Sequence, residues 1–167
     1  GAPLFAGAEV ALHASEIQYW NDNGELERAG EGTQKFFFKS AQQALVPYKA
    51  QMKLFTEGEV FPGVTAIPLP GHTPGHTGFF IASGNEQLII WGDMLHVPEV
   101  QTALPEAGIS YDVDLAQAVT SRKRIFDRAA SDRLLVAGMH THFPGFGHLV
   151  REGQGFRFVP EAWQHNF

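Results

Sequence analysis

The stretch Gly71-His72-Thr73-Pro74-Gly75-His76 lies between two apolar runs that read as strands, residues 63–69 and 77–82. Gly and Pro punctuate it, so it is a loop, and it carries two imidazoles. Residues 77–82 and 87–91 pair as a hairpin through Ser83-Gly84-Asn85, and the second run ends in Trp91-Gly92-Asp93 with His96 shortly after. A short apolar run, 133–137, ends in Gly138-Met139-His140-Thr141-His142. Three strand ends therefore each deliver His or Asp into a loop. Loops at strand ends are where a rigid scaffold carries chemistry. Glycines beside them let the backbone approach an ion or ligand closely.

Any one of these pieces alone is an ordinary turn or helix cap. Their order and shared placement make them a group. The chain has no cysteine, which excludes a disulfide scaffold, thiolate zinc sites and a cysteine nucleophile. A metal would therefore be held by imidazole and carboxylate, a donor set that suits zinc and its first-row neighbours.

The remaining sequence frames this group. With 167 residues, 44% hydrophobic and 18% charged, the chain has the size and composition of one globular domain. It reads as one compact unit of class α/β or α+β, strands alternating with helices. Residues 9–13 read as a strand and 14–20 as a helical turn entered through Ser15 and ended by 21–24. Residues 33–55 read as a helix, with Phe37, Ala41, Ala44 and Leu45 near helical spacing and Pro47 as a kink. Phe36, Phe37, Phe38, Phe55 and Phe61 are expected mostly in the core. Asp112 or Asp114 caps a helix running to about residue 130, one face marked by Leu115, Val119, Arg122 and Phe126. Residues 138–147 are loop, and 148–151 and 155–159 are short strands.

Lys plus Arg is 12 against 18 for Asp plus Glu, a net charge of −6 with no basic run, so nucleic acid is not an expected partner. No apolar run reaches the ~20 residues of a membrane span, so no membrane partner is expected. Gly1-Ala2-Pro3-Leu4-Phe5 has no signal-peptide pattern, and the expected compartment is cytoplasm or periplasm.

The three segments, taken in order, resemble the later motifs of the metallo-β-lactamase-fold hydrolases. The resemblance is closest to the methyl parathion hydrolase-like branch. It rests there on Trp91-Gly92-Asp93 with His96 and Gln101, on Arg122 and Arg124, on His140, on Phe143-Pro144-Gly145-Phe146-Gly147-His148, and on Gly155-Phe156-Arg157-Phe158-Val159-Pro160. It implies an αββα sandwich. It also implies two divalent ions, zinc foremost, with manganese, iron or cobalt as alternatives. By resemblance, His72 would bind the first ion, Asp93 would bridge both and act in catalysis, and His140 would bind the second. His76 would support the loop. His96 would line the pocket or cap a turn, His142 would sit in the loop near the site, and His148 would pack near it.

The superfamily's first motif, H-x-H-x-D-H, is missing, since His13 is the only histidine before His72. Residues 1–167 are therefore expected to be the C-terminal portion of a single domain, incomplete at its N-terminal side. The intact enzyme would use a metal-bridged hydroxide to cleave an ester-like small molecule: a phosphotriester, lactone, thioester or carboxylic ester. The chain alone is expected to be inactive, and the competing reading is a non-catalytic binding or structural module. An unpaired edge or uncovered face near residues 63–69 and 77–82 would favour association with a second copy or with the missing N-terminal segment.

Overall fold

The computed structural model describes residues 2–163. The chain divides into two compact units, one up to Thr56 and one from Glu57 onward.

In the first unit, strand β1 (Val10–His13) leads directly into helix α1 (Ala14–Trp20). His13 is the cap: its ring accepts the Ser15 N–H, while Ser15 itself lies inside the helix. Helix α2 (Asn23–Arg28) follows where the sequence suggests only a helix end, because the Asp22 carboxylate accepts the Glu25 N–H and starts a new helix. Helix α3 spans Thr33–Leu45 and not the whole of 33–55. Pro47 has no N–H to continue the ladder, so the chain tightens into a 3₁₀ turn over Val46–Gln51. Met52–Phe55 then forms strand β2, parallel to β1 in the register Val10↔Met52 to His13↔Phe55. Of the Phe36-Phe37-Phe38 run, only Phe38 is buried, packed against Tyr19 and Trp20.

The second unit is a seven-stranded sheet. Its strands lie in chain order: β3 (Gly58–Phe61), β4 (Val64–Pro68), β5 (Thr77–Ser83), β6 (Glu86–Ile90), β7 (Leu135–Ala137), β8 (Phe146–Glu152) and β9 (Gly155–Pro160). Every neighbouring pair is antiparallel except β6 and β7. That parallel pair needs a crossover, and the long helix α5 (Leu115–Ser131) supplies it. β4 is not the edge strand, because β3 folds back over it through Gly63 at φ +78°. Phe61, expected inside, is exposed on that outer strand. The β5–β6 turn is two residues, with Gly84 at the left-handed φ of +58° that such a turn needs at its first position.

Asp114, not Asp112, caps α5, accepting the Gln117 N–H. Ala118, Ser121, Arg122, Ile125, Phe126 and Ala129 follow helical spacing and are buried. Ile125, Phe126 and Ala129 close one face of the sheet, over Leu69, Ile89, Trp91, Val136, Leu149 and Phe156. This face anchors the strands whose ends carry the candidate ligands. Among the described residues, no helix is long and apolar enough to cross a membrane.

Candidate metal centre

Three loops meet at the ends of β4, β6 and β7. The first leaves β4 and is closed by its own backbone, with Leu69 N–H on the His76 carbonyl and Gly71 N–H on the Thr73 carbonyl. It docks on the start of α5: Asp114 N–H donates to the Gly71 carbonyl at 2.9 Å and Val113 N–H to the His72 carbonyl at 3.1 Å. Only glycine fits at 71, since φ is +130° and a Cβ would lie 2.0 Å from Ala118 N. His72 is thereby held at the end of a rigid strand.

The second loop follows β6. Gly92, at φ +59°, turns the chain so that Asp93 projects from the strand end. His76 lies behind this turn, its Nδ1 on the Leu69 carbonyl at 3.0 Å and its Nε2 accepting the Asp93 N–H at 2.9 Å. The third loop is tied across its neck by Thr141 Oγ1, which bonds the Gly138 and Gly145 carbonyls, and it presents His140.

The Asp93 carboxylate is the meeting point. Its Oδ1 lies 3.0 Å from His140 Nε2 and 3.9 Å from His96 Nε2, and its Oδ2 lies 3.6 Å from His72 Nε2. The His96 ring stacks on His140 at 4.5 Å and sits 5.0 Å from His72. His96 is held by its backbone, whose N–H donates to Gln101 Oε1 at 2.7 Å. Burial first, then the neighbouring His72, push the His96 imidazole down to about 4, so it stays neutral with a lone pair available.

These residues fit a divalent ion. Two donors of one tetrahedral zinc, each about 2.1 Å from it, stand about 3.4 Å apart. The separations of Asp93 from its three imidazoles bracket that value. Donor atoms of His72, Asp93 and His96 all lie within 4.8 Å of one another.

The other histidines point elsewhere. His142 is 76% exposed and pairs with Glu99 at 2.6 Å, joining the third loop to the short helix α4 (Pro98–Gln101). His148, on β8, bonds the Leu134 carbonyl through Nδ1 and faces Glu161 through Nε2. His76 bonds backbone on both sides, as described.

Sequence reasoning missed Asp112, whose carboxylate is fully buried and 3.1 Å from His72 Nδ1. A signal existed in Arg122. It falls on the apolar stripe of α5, and a cation there demands a buried anion nearby.

The metallo-β-lactamase superfamily model matches residues 6–140. Among solved structures, the chain is similar to AidC, a dizinc quorum-quenching lactonase solved with the product N-hexanoyl-L-homoserine, at 26% identity and TM-score 0.86. It is also similar to AbOPH, a hydrolase in the β-lactamase superfamily, at 29% identity and TM-score 0.87. In both cases 96% of this chain is covered, and it spans 57% of the other chain's length. A probable metal-dependent hydrolase from Staphylococcus aureus shares the fold at 16% identity, with 92% of this chain and 52% of that one covered and a TM-score of 0.69. A comparison with curated proteins returned no match. With a fold of mixed α/β class and a family match over more than half its length, the chain belongs to the metallo-β-lactamase superfamily.

Proposed function

We propose that this chain forms part of a metal-dependent hydrolase acting on an ester-like small molecule, with a lactone first and a phosphotriester second. The observation that carries the reading is that His72 and His140, from different strand ends, each bring Nε2 within 4 Å of the Asp93 carboxylate, His72 at Oδ2 and His140 at Oδ1. His72 and His140 would hold one ion each, and the two oxygens of Asp93 would bridge them. Bound zinc, or another divalent ion, would supply activated water and draw off charge developing on the substrate. The chain's own contribution is placement: His76 sets the Asp93 turn from behind, and the Gly71 contact with α5 fixes His72. Exposed Val97 and Val100 follow His96, and exposed Met139 and Phe143 flank His140, so the loops that carry the imidazoles also offer apolar surface for an acyl or alkyl group. The likeness to AidC, a lactonase, supports the lactone, and the likeness to AbOPH supports a hydrolase.

Two ions need more donors than these three residues provide, so the chain alone is expected to hold metal weakly and turn over little. The test is hydrolysis of an acyl-homoserine lactone and of paraoxon by the chain, alone and joined to an upstream segment carrying H-x-H-x-D-H, with zinc content measured in parallel. Turnover only in the joined form supports the reading. Absence of zinc binding in both forms would instead favour the non-catalytic module.

A further inference from the structure

Asp112 is a buried carboxylate that the proposed chemistry does not use. Its side chain is 0% exposed, and its two oxygens have different tasks. Oδ1 faces His72 Nδ1 at 3.1 Å. Oδ2 accepts the Ile109 N–H at 3.2 Å and lies 3.6 Å from Arg122 Nη2. Arg122 is also fully buried and is fixed by three carbonyls: Nε donates to Met94 at 2.7 Å, and Nη1 donates to Pro105 and Ala107, each at 2.9 Å. Burial lowers the Arg122 pKa while Asp112 raises it. Arginine remains charged in proteins, so the pair is a buried guanidinium and its counter-ion.

We infer that Asp112 is the positioning residue for His72, fixing the proton on Nδ1 and so presenting a bare Nε2 toward Asp93. An ionised carboxylate only accepts hydrogen bonds, so the ring nitrogen facing Oδ1 must carry the hydrogen. The other nitrogen is then the only one left with a lone pair, and it is the one on the Asp93 side. Arg122 faces the other oxygen, Oδ2, at 3.6 Å, which leaves Oδ1 for His72. The same guanidinium grips the carbonyl of Met94, the residue after Asp93, so one buried cation sets both the His72 brace and the Asp93 turn. Partners of this kind behind a ligating histidine typically change metal affinity 10–100-fold when removed. The inference rests on the proposed metal site.

The test is ¹⁵N NMR of the His72 ring in the metal-free chain, above the ordinary imidazole pKa of about 6.5, together with zinc affinity from chelator competition. In the native chain the proton is expected on Nδ1. In Asp112→Asn, the Ile109 N–H holds the amide oxygen, with the Arg122 guanidinium beside it, so the amide N–H₂ faces His72 Nδ1. The ring proton should move to Nε2, and zinc affinity should fall 10–100-fold. Loss of packing alone would not invert a tautomer. A native His72 protonated on Nε2 overturns the inference even if the variant fails to fold. So does an Asp112→Asn chain with unchanged tautomer and affinity. If the tautomer behaves as stated but neither native chain nor joined form binds zinc, the metal reading fails while Asp112 still positions His72.

Discussion

The backbone N–H of Asp93 donates to His76 Nε2 at 2.9 Å, and the other nitrogen of that ring is anchored on the Leu69 carbonyl at 3.0 Å. His76 is thus a strut between the root of the first loop and the turn that carries the carboxylate. His76→Ala should remove one strut and leave the donors in place, costing about 1–3 kcal/mol of stability and about 10–100-fold in zinc affinity. Asp93→Ala removes the shared carboxylate itself and should abolish measurable binding. Equal losses at the two positions, read by zinc titration, would show that His76 is itself a ligand.

Gly92→Ala tests the same strut from the other side. A Cβ at 92 would meet His76 Nε2 at 2.7 Å, at a φ of +59°. Gly84 has nearly the same φ, +58°, with nothing within 4 Å of its added Cβ. Gly84→Ala should cost only the left-handed strain, about 1–2 kcal/mol. Gly92→Ala should cost more and also weaken zinc binding, which Gly84→Ala should not. Matching denaturation midpoints for the two variants would mean that the strut yields without cost.

His96 makes the metal-free chain acid-sensitive. Its imidazole, pushed down to about 4 chiefly by burial, binds no proton in the folded state between that value and about 6.5, whereas the unfolded chain does. The contribution is therefore complete above about pH 6.5 and is lost as pH falls toward 4, by roughly 3 kcal/mol in all. Urea denaturation of the metal-free protein across this range should show the decline, and His96→Gln should flatten it. An unchanged slope in the variant would place the acid sensitivity elsewhere.

Much of this architecture is legible in local sequence. The β5–β6 hairpin is marked by its Gly84-Asn85 turn, and α5 by its apolar stripe. The strand ends at Asp93 and His140 are marked by glycines. What is not legible depends on partners distant along the chain. Met52–Phe55 becomes a strand because it pairs with Val10–His13, which no helical period nearby reveals. Gly58–Phe61 is short and outermost, and its only described strand partner is β4, so its own pattern is weak. Asp112 and Asp114 are equivalent as caps on paper. Only folding separates them, Asp114 to Gln117 and Asp112 to a histidine 40 positions upstream. His96 likewise reads as either a pocket residue or a turn cap until its ring is seen stacked on His140.

Zinc should stabilise the folded chain, because the donors converge only in that state. At a free zinc concentration 100-fold above the dissociation constant, binding adds about 2.7 kcal/mol, which for a domain of this size raises the thermal midpoint by about 5–10 °C. His72→Ala and His140→Ala should each lose most of that rise, since each removes an imidazole within 4 Å of the Asp93 carboxylate. His142→Ala should keep it, because that ring is exposed and pairs with Glu99. His148→Ala should keep it too, its ring nitrogens being directed at Leu134 and Glu161. Differential scanning calorimetry with and without zinc, and with chelator added back, separates the four. If the His148 or His142 variant loses the rise as fully as the His140 variant, the ion sits on the outer loops and not at the strand ends.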